Sequence, residues 1–290
     1  MALADEIRPL EERLTRRLIR RPYGDAEGRK GWLTAFARAQ IHIIARYTLA
    51  LPGWPRFERP LRIAFLSDFH VGSHTGDVAR LSAIADEVIA LSPDLVLFGG
   101  DYMNLQIAGG GRVPPLTVAQ LLSRMTGRHG RFAILGNHDY VYGESEVAEA
   151  LRGHGIAVLD HEHGAFSFGG HEIGVLGLPD AHVTRPEARA LLRALDPGRP
   201  AIVLAHDPVW FADVPPGPFL TLSGHTHGGQ VKLPFVGVLR NASVAPLRWS
   251  HGLIAEGGRH LIVTAGLGTS MIPLRIGVPP EFAVIEVNGA

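Results

Sequence analysis

The chain contains no cysteine. That excludes disulfides and thiolate ligands, so any metal must be held by nitrogen and oxygen donors. It does not fix the compartment, because a cysteine-free chain survives in reducing and oxidising surroundings alike. Nor is there a surplus of charge: 28 Lys and Arg balance 28 Asp and Glu. A neutral total gives no electrostatic basis for nucleic-acid binding, and none is expected. The first ten residues hold acids and lack the apolar stretch of a secretory signal. Arg16-Arg17 has the form of a twin-arginine signal, but the apolar stretch behind it comes late and carries charges. Export is therefore not expected. That stretch, Trp32–Leu51, is also interrupted by Arg38 and Arg46, which argues against a membrane span. Internal repeats and low-complexity tracts are missing too.

What remains is an ordinary globular composition. A length of 290 residues with 46% hydrophobic content fits one large α/β domain or two small ones. The N-terminal 60 residues stand apart, with 12 Arg or Lys against 7 Asp or Glu. Leu10–Arg21 reads as a basic helix and Trp32–Leu51 as a second one. Arg38, His42 and Arg46 recur at four-residue steps and would line one face of it. Residues 1–55 then either lie on a membrane surface or pack on the catalytic domain, and both readings stay open. The location expected is cytoplasmic, with peripheral attachment to the inner membrane face left open. Pro52, Pro55 and Pro60 mark a linker, giving an extension over residues 1–60 and a catalytic domain over 61–290.

From Leu61 the pattern alternates. Leu61–Leu66, Leu95–Phe98 and Phe132–Leu135 read as buried strands, and Val78–Leu91, Leu116–Met125 and Ser145–Arg152 as helices. Such alternation implies parallel strands with crossover helices. After Gly155 short strands crowd together, with one helix at Pro186–Leu195. Two facing mixed sheets with helices outside accommodate both halves.

The polar residues of interest follow the apolar strands, where open α/β sheets build their sites. Asp68 and His70 follow the first strand, Gly100-Asp101 the second and Gly136-Asn137-His138-Asp139 the third. His206 follows Ala201–Leu204, and Gly224-His225-Thr226-His227 follows Phe219–Leu222. Residues two apart in an extended segment point to the same side, so Asp68 with His70, and His225 with His227, can each reach one ion. Any one of these groups has a bland alternative: a helix cap, a turn residue or a satisfied core histidine. Five strand ends delivering only Asp, His and Asn are harder to assign to accident. Asp68, His70, Asp101, Asn137, His206, His225 and His227 make seven candidate ligands. If one carboxylate bridges, each of two ions receives four, with positions left for water and substrate.

This motif series resembles that of the calcineurin-like metallophosphoesterases: D-x-H, G-D, G-N-H-D/E, H and G-H-x-H, in order. The resemblance spans about Leu61 to the C-terminus. Gly224–Gln230, Gly266-Leu267-Gly268-Thr269, Pro273-Leu274-Arg275 and Pro279-Pro280-Glu281 look like its small bacterial membrane-associated branch. Some members of that branch cleave phosphodiesters, and a related group cleaves the pyrophosphate of UDP-2,3-diacylglucosamine.

The resemblance implies a four-layer α/β/β/α sandwich of two mixed sheets flanked by helices. It implies one ion on Asp68, His70, Asp101 and His227, and another on Asp101, Asn137, His206 and His225. His138 would be catalytic, lying over the substrate phosphate and protonating or stabilising the leaving oxygen. Two divalent ions are the expected cofactors, and nitrogen and oxygen ligands suit Mn, Fe, Zn or Co. The function expected is hydrolysis of a phosphodiester or pyrophosphate, on a lipid-linked or a soluble nucleotide substrate, by attack of a metal-bridging hydroxide. Arg275 is a candidate phosphate contact, with a surface arginine as its bland alternative. The second motif departs from the protein-phosphatase pattern G-D-x-V-D-R-G: Asn104 stands where an Asp would orient the catalytic histidine, and the Arg is missing. That argues against a phosphoprotein phosphatase and leaves open what orients His138. Rival classes are a non-catalytic metal-binding scaffold of the same fold and a metal-dependent amidohydrolase, whose His-x-His pair usually comes early in the chain.

Overall fold

The computed structural model describes residues 40–105, 111–180, 185–238, 240–270 and 273–290. The expected helix at residues 10–21 and the first part of the one at 32–51 lie outside them. Residues 43–51 do not form a helix. They are strand β1 (Ile43–Leu51), which runs parallel to the last strand of the chain, β14 (Glu281–Gly289). Tyr47, Leu49 and Leu51 turn inward while Arg46, Thr48 and Ala50 turn outward, a period of two. Isoleucine, tyrosine and threonine suit a pleated edge. The four-residue spacing of His42 and Arg46 is compatible with either structure, and pairing with a strand about 240 residues away decides it. Residues 43–51, expected in an N-terminal extension, are therefore part of the sheet.

The first sheet has the order β1-β14-β2-β3-β4-β5. Its centre is β2 (Leu61–Leu66), β3 (Leu95–Phe98), β4 (Arg131–Ala133) and β5 (Ala157–Val158), all parallel, with β14 antiparallel to β2. Helices α1 (Asp77–Leu91), α2 (Pro115–Leu122) and α3 (Asn137–Gly153) make the crossovers. The second sheet has the order β12-β13-β9-β8-β7-β6. Here β7 (His171–Gly177), β8 (Ala201–Leu204), β9 (Phe219–Ser223) and β13 (Arg259–Val263) are parallel, while β6 (Glu162–Phe168) and β12 (Gly252–Glu256) close the edges as antiparallel hairpins. Helix α4 (Arg185–Arg193) precedes β8, and a short hairpin, β10 (Lys232–Leu233) with β11 (Gly237–Val238), stands apart.

Three apolar layers hold four layers of structure. Phe65, Leu97, Ile202 and Leu220 lie between the sheets. Leu66, Phe98, Ile84 and Leu151 join the first sheet to its helices. Val203, Leu192, Trp210 and Trp249 cover the outer face of the second. This is the expected α/β sandwich of two mixed sheets flanked by helices. Central strands buried on both faces read as unbroken apolar runs, which is why β2, β3 and β8 are visible in the sequence. No described helix is long and apolar enough to cross a membrane.

Candidate metal centre

Strands β2, β3, β8 and β9 and the β4–α3 junction end on one rim, and their loops bring all seven predicted ligands together. The backbone there is unusual. Asp68, His70, Asp101, His225 and His227 all have φ between 41° and 66°. Left-handed backbone costs a non-glycine residue about 1–2 kcal/mol, so it persists only where the surroundings enforce it. Asp68 and His70 do reach one place, as expected, but through left-handed turns rather than an extended segment. Motif one is tied to motif two: Asp68 N–H donates to the Gly100 carbonyl at 2.9 Å and His70 N–H to that of Asp101 at 3.0 Å.

The donor atoms fall into two groups sharing Asp101. In the first, His70 Nε2 and His227 Nε2 are 3.1 Å apart, and Asp68 Oδ1 is 3.5 Å from His227 Nε2. In the second, His206 Nε2, His225 Nδ1 and Asn137 Oδ1 lie 3.0–3.2 Å from one another. Asp101 Oδ2 stands between them, 3.5 Å from His70 Nε2 and 3.3 Å from His206 Nε2. Two ligands each about 2.1 Å from one ion lie roughly 3.0–3.4 Å apart at angles of 90–109°. The spacings fit.

The tautomers fit as well. A ligating imidazole usually donates its other N–H to a carbonyl or carboxylate. His206 Nδ1 is 2.8 Å from the Gly99 carbonyl, His70 Nδ1 is 3.3 Å from that of Met103, and His225 Nε2 is 3.3 Å from that of Ala242. In each case the nitrogen left over is the one facing the site. His227 is the exception, since its Nδ1 faces Arg275 Nη2 at 3.2 Å.

Electrostatics point the same way. Burial, reinforced by His138, pushes His70 down to about 3, and burial with His70 and Arg275 holds His227 well below the ordinary range. Both rings are neutral at neutral pH, the form that binds metal. Burial raises the Asp68 carboxyl. Burial also acts to raise Asp101, but His206, His138 and His70 outweigh it and hold it well below the carboxylate range. Burial acts to lower His206, but Asp101 and Asp68 outweigh it and hold it well above the ordinary range, so the buried carboxylates draw positive charge to this site.

Residues 61–229 match the family described as calcineurin-like phosphoesterase, more than half of the chain. The chain belongs to that family. Among curated proteins, phosphodiesterase YaeI of Escherichia coli is 32% identical over 237 residues, 79% of this chain and 82% of that one. The uncharacterised metallophosphoesterase YkuE of Bacillus subtilis is 29% identical over 231 residues, 74% and 76% of the two chains. Among solved structures, a 5'-nucleotidase precursor from Thermus thermophilus aligns over 70% of this chain and 48% of its own, at 18% identity and a TM-score of 0.44. Family membership makes this chain a metal-dependent phosphoesterase, and its buried Asp and His residues form groups that could hold a divalent metal.

In this phosphoesterase His138 occupies the first turn of α3, with its ring 4.5 Å from that of His70 and its backbone N–H donating to Asp101 Oδ1 at 2.9 Å. Among the described residues, its buried Nδ1 has no hydrogen-bond partner. Burial lowers its pKa, while Asp101 and Asp180 raise it. Asn104 sends its amide N–H to the carbonyls of Gly72 and Gly111. Arg275 is neither a surface residue nor aimed at open space: it is 3% exposed, and its guanidinium donates to the carbonyls of His227, Ala265, Gly266 and Gly268. That corrects the expectation of a phosphate contact, because those donors are spent on backbone.

The roles of two residues escaped the sequence reading. Asp180 is buried after β7, a sixth strand end, and its charge acts on His138 and His206. The signal was present, an Asp shortly after the apolar strand Glu172–Leu176. Asp139 accepts the backbone N–H groups of Asp101, Tyr102, Met103 and Gly136. Nothing in the sequence distinguishes it from a simple helix-capping residue.

Proposed function

We propose that this protein is a dinuclear phosphodiesterase, hydrolysing a phosphodiester or pyrophosphate with two divalent ions drawn from Mn, Fe, Zn and Co. The observation that carries the reading is Asp101 Oδ2, about equally far from the two donor groups at 3.5 and 3.3 Å. Asp68, His70 and His227 would complete one ion's ligands, and Asn137, His206 and His225 the other's. Two ions held there would acidify a shared water to a nucleophile and take up charge on the phosphate oxygens.

The remaining steps belong to the chain. His138 lies beside both donor groups, within reach of a metal shared with His70 and Asp101; outside the two proposed ligand sets, it would be free to donate a proton to the departing oxygen. Burial keeps the ring neutral in the resting protein. A phosphate ester beside it brings negative charge, which favours the imidazolium. The loops carrying the ligands leave little room for water around Asp68 and Asp101, so the field of these charges is not diluted.

For the substrate we propose a lipid-linked group. Support comes from the basic balance of the N-terminal residues and from a hairpin next to the site. Leu233, Phe235 and Val236 at the β10–β11 tip are exposed, Phe235 fully, with Leu274 and Ile276 exposed alongside. Apolar side chains at the mouth of a site are a common sign of docking. Phosphatidylglycerol vesicles should retain the intact protein and release Phe235→Asp. If vesicles do not bind it and a soluble nucleotide is cleaved, the lipid reading fails. Truncations for this purpose must stop before residue 40, because β1 belongs to the sheet.

The reaction class is tested by Mn²⁺-dependent hydrolysis of bis-p-nitrophenyl phosphate against p-nitrophenyl phosphate. Faster diester cleavage, abolished by chelator and reduced in His138→Ala, supports the proposal. Two bound ions with no turnover of either compound would favour the scaffold reading instead.

A further inference from the structure

Three of the four candidate histidines point their spare nitrogen at a carbonyl, and His227 does not. Its neighbour Arg275 is a buried cation: burial lowers its pKa, and so does Arg80, while Asp68 and Glu281 raise it. A buried guanidinium is costly unless every N–H is matched. Here Nε donates to the Gly268 carbonyl at 3.0 Å and Nη1 to that of His227 at 3.3 Å. Nη2 donates to the carbonyls of Gly268, Ala265 and Gly266 at 2.5, 2.6 and 3.1 Å.

Those carbonyls belong to the backing of one donor group. Leu267 N–H donates to Ser67 O at 3.1 Å, and Gly268 N–H to Asp68 O at 2.6 Å. The packing is close: a Cβ on Gly266 would sit 2.4 Å from Asp68 Cβ, and one on Gly268 2.8 Å from His70 Cβ. Glu281 fixes the other end of the same loop. Its Oε1 accepts from Ala265 N–H at 3.0 Å and from Thr264 Oγ1 at 3.3 Å, and lies 2.8 Å from His251 Nε2. Arg275 thus joins the segment carrying His227 to the loop pressed against Asp68 and His70. The segments carrying Asn137 and His206 receive none of its bonds, and on the loop shared by His225 and His227 they reach His227 only.

We propose that Arg275, with Glu281 behind it, is a positioning residue for the Asp68–His70–His227 ion alone, so that one ion's affinity depends on this buried frame and the other's does not. The inference rests on the dinuclear reading. When Nε2 of His227 ligates, Nδ1 must carry the ring proton, and the arginine cannot accept it. The contact at 3.2 Å is then packing, and the grip is on the carbonyls.

The test is Mn²⁺ binding by calorimetry, with metal content after gel filtration, on the full chain, Arg275→Gln, Arg275→Lys and Glu281→Gln. Wild type should bind two ions. Arg275→Gln should keep the tighter or weaker ion of the Asn137–His206–His225 group unchanged and bind the other at least tenfold more weakly, the usual scale for loss of an outer hydrogen-bond partner. Arg275→Lys, with three donors on a flexible stem, should recover only part of that loss. A general loosening would weaken both ions together, and that result overturns the proposal. So does unchanged or tighter binding of both. If Arg275→Gln does not fold, Glu281→Gln carries the test with the same expected loss of one ion. Wild type binding fewer than two ions would instead sink the dinuclear reading.

Discussion

Asp139 holds the backbone of Asp101: its Oδ2 accepts the Asp101 N–H at 2.8 Å, and its Oδ1 accepts the N–H of the next residue, Tyr102, at 2.9 Å. The same two oxygens take the N–H groups of Gly136 and Met103. One side chain at the start of α3 therefore shapes the turn that delivers the central carboxylate. Asp139→Asn replaces one acceptor with a donor aimed at backbone N–H groups. Each unsatisfied buried group costs about 1–3 kcal/mol. We expect a lower thermal midpoint and weaker Mn²⁺ retention together. An unchanged midpoint in a differential scanning experiment would dismiss the role.

His138 and Asp101 should fail differently. His138→Ala removes none of the seven proposed ligands, so it should keep both ions while losing about 10²–10⁴-fold in turnover. The loss should shrink for diesters with an acidic leaving group such as p-nitrophenol, which needs little protonation, and grow for alkoxide leaving groups. Asp101→Ala should release both ions, since Oδ2 faces both groups. Equal losses across leaving groups for His138→Ala would speak against proton donation.

Gly224 has no room for a methyl group. A Cβ there would lie 2.1 Å from Asp68 Oδ2 and 2.2 Å from Ser67 Oγ. Gly224→Ala should displace the Asp68 carboxylate, cost about 1–3 kcal/mol in stability, and reduce bound metal measured after dialysis. Full metal content in that variant would show that the loop yields instead.

Stability at low pH should report on Asp94, at the end of β3 away from Asp101. It accepts from Arg59 Nη1 and Nη2 at 2.6 and 2.7 Å and from Arg62 N–H at 3.0 Å. Burial acts to raise its pKa, but the bonds from Arg59 and Arg62 outweigh burial and hold it below the carboxylate range. A pKa depressed by folding adds stability above the unfolded value of about 3.9, lost as pH falls through the folded value. Arg59 is half exposed and water screens the pair, so Asp94→Asn should cost about 1 kcal/mol at pH 7. The gap to wild type in urea melts should close as pH falls through the folded value. A constant gap from pH 7 to pH 3 would exclude the ion pair as its source.

The sequence alone determined the sheet centres and which polar residues gather at their ends. Strands such as Leu95–Phe98 are buried on both faces, so their apolar runs are local and legible, and the polar residues after them fall where strand ends must lie. Tertiary structure decided the rest. Residues 43–51 carry a pattern that suits helix or strand, and only the β14 edge at the far end of the chain made them strand. Arg275 reads as a loop cation, yet the loop it sits in folds back under Asp68 and turns its donors to buried carbonyls. The turns at Asp68 and His227 are left-handed against local preference, because bonds and packing from distant segments over-determine them. Local chemistry chose which residues gather at this site, and long-range contacts, invisible along a single chain, fixed how they are held.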